Sequence, residues 1–155
     1  HPRGSAHSYY WFHHASWLDF NMYQSGHARK FNPVHQFATA NYLLQPVKPF
    51  VDGEPAYEDI PVAFWEYMDW SSEHRMPETV LTDQHLVRQA DYFQKGWFDA
   101  YQVRVHAYWN VLSGACGTAY GNNAVWQMFE KGDAVVIPCR NTWQEALNRP
   151  GATNM

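Results

Sequence analysis

An α/β fold built on a parallel sheet is predicted by three observations. The elements alternate as strand, helix, strand, long loop with helix, strand and helix, which is the order that winds a parallel sheet. Polar residues capable of chemistry recur where these strands end: His1 and Arg3, Gln24 and His27, Asp52 and Glu54, Tyr120 and Asn122. Finally, the chain has 155 residues, 46% hydrophobic and 17% charged, enough for one ordinary core and too apolar for a disordered tail.

The first strand is read from "WLDFNMYQSGH" (17–27), with Phe20, Met22 and Gln24 on one face and Asn21, Tyr23 and Ser25 on the other. "NPVHQFATANYLLQ" (32–45) follows as a helix, with Asn32 as N-cap, Pro33 at the first helical position, and Val34, Phe37, Ala38 and Leu44 at helical spacing. "KPFVDGE" (48–54) is a second strand, its Pro49 near the start, where a missing N–H is tolerated. From Tyr57 to about Leu86 the periodicity dissolves into a long loop, a kind that is usually functional or carries an element of its own. Phe93, Trp97, Tyr101, Val105, Tyr108, Trp109 and Leu112 then mark a helical stripe, read as core, which Gly114 ends. "ACGTAYG" (115–121) is a third strand of small residues, and "TWQEALNRPG" (142–151) a short helix stopped by Pro150 and Gly151.

Composition narrows the function. Eleven Lys plus Arg against fifteen Asp plus Glu give a net charge of −4, with no basic cluster, so nucleic acid is not expected as a partner. The longest apolar runs fall far short of the roughly 20 residues of a membrane span. No Gly-x-Gly-x-x-Gly, Walker loop or Gly-x-Ser-x-Gly elbow occurs, so no nucleotide cofactor is expected. Cys116 and Cys139 sit in no Cys-x-x-Cys pair and read as free thiols. His7, His13 and His14 lack a carboxylate or thiol at ligand spacing, so no metal is expected either. The opening "HPRGSAHSYYWF" has neither an initiator Met nor the regions of a signal peptide, and reads as a cut.

One stretch demands a purpose. In "VKPFVDGEPAYED" (47–59) an apolar run ends in Asp52, Glu54, Glu58 and Asp59. Like charges held close together cost stability, so this density of acid at the mouth of a buried strand points to chemistry.

The blocks "HPRG", "WFHHASWLDFNMYQSGH", "PVKPFVDGEPAYED", "AYWNVLSGACGTAYGNNAVWQM" and "EALNRPGATNM" resemble, in order, successive blocks of the apiosidase-like glycoside hydrolase catalytic domain, a family sometimes labelled a collagenase. Only residues 60 to 86 match loosely. The resemblance implies a (β/α)8 TIM barrel, which takes about 250 residues, with this chain (1–155) as its C-terminal half, roughly strands 5 to 8, the N-terminal half being absent. It also implies a retaining glycoside hydrolase with its nucleophile at Glu54, in "DGEP", and its general acid/base upstream of His1. The implied partner is an oligosaccharide or polysaccharide of plant cell walls, apiose-bearing pectic side chains among them, and such polymers imply a periplasmic or secreted enzyme.

The residues fit that role on their own terms. A retaining glycosidase needs two carboxyl groups about 5 to 5.5 Å apart. Glu54 serves as one, while Asp52, two residues back and about 6.6 Å away along a strand, sits a pleat deeper and reads as orienting neighbours or as a buried structural acid. His1, Arg3, Gln24, His27 and Asn122 are read as binding sugar hydroxyls or as satisfying loop backbone; Tyr120 and Trp126 as stacking on a sugar or as packing. A non-catalytic carbohydrate-binding protein on the same barrel is the competing reading. A collagen protease is disfavoured, since no His-Glu-x-x-His occurs.

Overall fold

The computed structural model describes residues 1–66, 94–133 and 135–154. Three short strands, β1 (Asn21–Tyr23), β2 (Phe50–Asp52) and β3 (Gly117–Thr118), form a parallel sheet in chain order. Met22 stands opposite Val51, and Asp52 opposite Thr118. Parallel neighbours need crossover connections, and helices α2 (Val34–Tyr42) and α3 (Ala100–Leu112) lie in the two crossovers. Short turns of helix complete the chain: α1 (Tyr9–Phe12), a 3-10 turn (Phe64–Glu66), α4 (Asn123–Gln127), α5 (Trp143–Ala146) and α6 (Pro150–Thr153). No described helix is long and apolar enough to cross a membrane.

Three strands appear among the described residues where the barrel reading counts about four. His1 and Arg3 precede any strand, and residues 5–8 turn back along β1 instead, Ser8 N–H donating to Met22 O at 2.8 Å and Gln24 N–H to Ala6 O at 3.2 Å. β1 is itself shorter than 17–27. Gly26 breaks it with φ +73°, a conformation that suits glycine. The alternation holds nonetheless: Asn21, Tyr23 and Ser25 are buried, Met22 is half-buried, and Phe20 is exposed before the strand begins.

Between sheet and α2, Tyr23, Phe50, Ala38 and Ala115 make one apolar cluster, with the Tyr23 and Phe37 rings stacked at 5.8 Å. The start of α2 departs from expectation. Pro33 occupies the N-cap, and Asn32 turns away to donate its amide to Gly26 O at 2.7 Å, tying the helix entry to the loop after β1.

Helix α3 begins at Ala100, with Asp99 as its N-cap, later than the ring stripe starting at Phe93 suggests. Asp99 and Gln102 form a capping box, with Tyr101 N–H on Asp99 Oδ1 at 2.8 Å and Asp99 N–H on Gln102 Oε1 at 2.9 Å. Its buried face is Gln102, Val103, His106 and Asn110, whereas Tyr101, Tyr108 and Leu112 of the expected core stripe are exposed and Trp109 packs edgewise on His35. Phe93 lies outside the described residues. The physical reason is polarity at the sheet edge. The buried Tyr23 hydroxyl donates to Asn110 Oδ1, and Asn110 Nδ2 donates to Asp52 at 2.9 Å. An apolar stripe there would leave the Tyr23 hydroxyl without this partner, at a cost of about 1–3 kcal/mol, and would take one of its donors from Asp52. Beyond the helix, Gly114 (φ +98°) turns the chain as expected.

A second cluster, Ala56, Ile60, Val62, Phe98, Val103 and Ile137, lies under the chain leaving β2, and a third joins α4 to α5 through Ala124, Phe129, Cys139 and Ala146. Pro150 does not stop the last helix. It opens α6 at the N1 position, where its missing N–H leaves nothing unpaired, and Gly151 N–H reaches Glu58 Oε1 at 3.3 Å.

Candidate active site

Glu54 lies two residues beyond β2, and three nitrogens converge on its carboxylate. Gln24 Nε2 donates to Oε1 at 2.5 Å, His27 Nε2 stands 3.2 Å from the same oxygen, and His1 Nε2 stands 3.1 Å from Oε2. The surrounding bonds decide which way these groups face. Gly4 N–H donates to Gln24 Oε1, so the amide turns its NH2 toward Glu54. Tyr57 N–H approaches His27 Nδ1 at 3.3 Å, so that nitrogen accepts and Nε2 carries the proton toward Glu54. The backbone closes the arrangement, with Gly26 N–H on Glu54 O at 3.0 Å and Gly53 N–H on Tyr23 O at 2.9 Å.

Asp52, fully buried, points the other way along β2. It accepts Ser25 Oγ–H at 2.6 Å, Ser25 N–H at 3.3 Å and the Asn110 amide. Burial pushes its carboxyl above the usual carboxylate range, against the opposing pull of the bonds from Ser25, Asn110 and the backbone at Glu54. It thus locks the end of β1 to the end of β2 beneath Glu54.

The acids further along 47–59 serve other partners. Glu58 accepts Tyr120 O–H at 2.7 Å and binds α6; Asp59 pairs with Arg140 and with Arg149 Nε at 2.8 Å. Only Asp52 and Glu54 of the four belong to this edge.

A cavity of about 690 Å³ opens over Glu54, lined by Arg3, Gly4, Gln24, His27, Phe64 and Trp65 among others. Glu54 is the only carboxylate among the described residues that line it. Of the residues read from the sequence, Arg3, Gln24 and His27 line this cavity, while His1 reaches Glu54 but lines a neighbouring groove. Tyr120, Asn122 and Trp126 do not line this cavity. Tyr120 is spent on Glu58; Asn122 is the buried N-cap of α4, accepting Ala124 N–H at 3.0 Å; Trp126 stands half-exposed on α4. Phe64 and Trp65 were missed. Their signal was "AFWE", two rings together inside a long loop. No group of three His, Cys, Asp or Glu among the described residues is arranged to hold a metal ion.

The parallel sheet thus carries at its strand ends a hydrogen-bonded glutamate facing a ring-lined cavity, and two solved structures similar to this chain are glycoside hydrolases. One, a glycoside hydrolase, matches all of the chain at 32% identity with a TM-score of 0.76. Another, a glycoside hydrolase family 5 protein from Bacteroides vulgatus ATCC 8482, matches all of it at 32% identity and 0.75. The chain covers 32% and 31% of their respective lengths. The sequence profile of the apiosidase-like catalytic domain matches residues 1–155, and the chain belongs to that family. No curated protein matches it.

Proposed function

We propose that this chain is the C-terminal half of the (β/α)8 barrel of a retaining glycoside hydrolase acting on plant cell-wall pectic glycans, with Glu54 as nucleophile. The observation that carries the reading is the Glu54 carboxylate itself, oriented by Gln24 and His27 at a strand end and open to the cavity. Glu54 attacks the anomeric carbon as the glycosidic C–O bond breaks, and a carboxylic acid from elsewhere in the barrel gives its proton to the departing oxygen. Water, deprotonated by that same group, then attacks the glycosyl-enzyme ester and frees Glu54. Gln24 and His27 hold the attacking oxygen in line throughout. No second carboxylate is found among the described residues that line the cavity, and with the acid/base supplied from elsewhere in the barrel the 155 residues alone are expected to be inactive, since general acid help contributes about 10²- to 10⁴-fold. The same observation suits a binding module that lost turnover, and the two readings part on the full-length protein.

There, Glu54→Gln keeps shape and hydrogen bonds but removes the nucleophilic oxygen. Turnover of an activated aryl glycoside is expected to collapse while binding survives, and azide is expected to rescue Glu54→Ala with an azide product of inverted configuration. Near-normal turnover in Glu54→Gln, or rescue confined to Asp52→Ala, would move the nucleophile. An inactive wild-type protein that binds the glycan would make it a binder.

A further inference from the structure

We propose that Asp59 is a positioning residue for the reaction: paired with Arg140 and Arg149, it holds the chain after β2 as a collar around His27 and so keeps the imidazole proton on the nitrogen that faces Glu54. Its effect on turnover rests on the glycosidase reading; its effect on His27 does not.

Of the acids that follow β2, Asp59 is buried to 4% exposure yet lines neither the cavity nor the sheet edge. A buried carboxylate is costly unless paired, and this one is paired twice. One oxygen meets Arg140, and the other lies 2.8 Å from Arg149 Nε and 3.4 Å from Asn141 Nδ2. The Arg140 guanidinium is itself seated 3.7 Å from the centroid of the Trp97 ring. Glu58, next to it, takes Gly151 N–H at 3.3 Å, so two consecutive residues are anchored to the same far segment of the chain.

The anchored stretch bends around one side chain. Asp59 holds φ +62° and Ala63 repeats the conformation at +53°, a left-handed region uncommon outside glycine that persists where the surroundings over-determine it. Asp59 N–H donates to Phe98 O at 2.8 Å, and Phe98 N–H returns to Ile60 O at 3.1 Å. Between these turns every contact is with His27. Tyr57 N–H meets its Nδ1 at 3.3 Å, the Tyr57 ring stands edgewise at 4.9 Å, Ala63 N–H donates to its carbonyl at 2.8 Å, and the Phe64 ring lies 5.7 Å away.

The consequence is chemical. An imidazole whose Nδ1 accepts from Tyr57 N–H carries its proton on Nε2, the nitrogen 3.2 Å from Glu54 Oε1. Once the collar relaxes, the Tyr57 bond, long at 3.3 Å, is the first to fail. The other tautomer would then turn a lone pair toward the carboxylate.

The test uses the full-length enzyme with isotope-labelled histidine. Asp59→Asn is the variant of choice, since asparagine tolerates the left-handed backbone and only the charge is lost. Proton–nitrogen spectra, with His27 assigned by its absence in His27→Gln, show which ring nitrogen is protonated. A single Nε2–H form is expected in the wild type and a mixture in Asp59→Asn, with kcat on an activated aryl glycoside lowered about tenfold and KM nearly unchanged. A variant that melts earlier but keeps the single form and the wild-type kcat overturns the proposal and leaves Asp59 a structural acid. A mixture with unchanged kcat, where Glu54→Gln still abolishes turnover, overturns the role in the reaction. A mixture with unchanged kcat in an enzyme that tolerates Glu54→Gln keeps Asp59 as the residue that positions His27 and removes the nucleophile instead. If Asp59→Asn does not fold, Arg149→Met, which leaves the Arg140 pair in place, decides by the same spectra: a mixture supports the collar, and an unchanged Nε2–H form contradicts it.

Discussion

Gln24 and Glu54, the residues next after the ends of β1 and β2 that point into the cavity, meet at 2.5 Å, so the parallel pairing of two strands becomes a bond between two side chains. Removing that donor isolates its effect. Gln24→Ala in the full-length enzyme is expected to lower kcat about 10- to 100-fold, the worth of a hydrogen bond to a charged group. KM is expected to change little, and Gln24→Glu, which sets two acids together, to do worse than alanine. Steady-state kinetics on an aryl glycoside check this.

Gly121 offers a remote handle on the same carboxylate. A Cβ there would run into the ring of Tyr57, whose own N–H fixes His27. Gly121→Ala is therefore expected to cost about 1–3 kcal/mol of stability by overpacking and to lower kcat through His27, although it touches no substrate. A thermal melt beside a kcat measurement shows both losses; a stable variant with unchanged kcat would separate Tyr57 from the site.

Acid sensitivity should come from two buried imidazoles. Burial lowers the His7 pKa from 6.5 to about 4, and burial lowers that of His106 likewise to about 4, with nearby His27 adding to it. The unfolded chain takes up these protons below 6.5 and the fold refuses them, so stability is full above pH 6.5 and declines as pH falls toward 4. Asp52, raised by burial above its ordinary 3.8, acts in the opposite sense, its contribution being lost as pH rises past that value. Melting temperatures from pH 7 to 4 are expected to fall in the wild type and to flatten or reverse slope with His7→Gln and His106→Gln combined.

The isolated 155 residues are expected to self-associate. Trp11 and Trp17, each 66% exposed, border a groove of about 420 Å³ along with Phe12 and Phe20, and a cluster of exposed rings of this kind is a surface for association. Sedimentation should show oligomers that dissociate in Trp11→Ser, Trp17→Ser. A monodisperse wild-type chain would count against the half-barrel.

Reading the sequence located β1, β2 and β3 because alternation and turn residues are local signals; the acid cluster drew attention to the end of β2, and the family resemblance singled out Glu54 within it. It misjudged α3, where ring spacing spoke for a core face while the sheet edge required Asn110 and buried His106, a demand set by residues 58 positions away in the chain. It offered Tyr120 and Trp126 as candidate rings and overlooked Phe64 and Trp65, which line the cavity, for a similar reason. Which ring overlooks a cavity depends on a turn held by His27 O, and no local pattern encodes that bond.

The two walls of the cavity meet at His27 but rest on different elements. Gln24, His27 and Glu54 stand on strand ends locked from beneath by Asp52, whereas Trp65 rides on a turn fastened chiefly through Ala63, Phe64 and Glu66. A change at Trp65 therefore alters the cavity wall while leaving the bonds of Gln24 and His27 to Glu54 in place. A library that randomises the cavity residues Trp65 and Ala28, holding Phe64 constant, would reshape that wall at little risk to the fold.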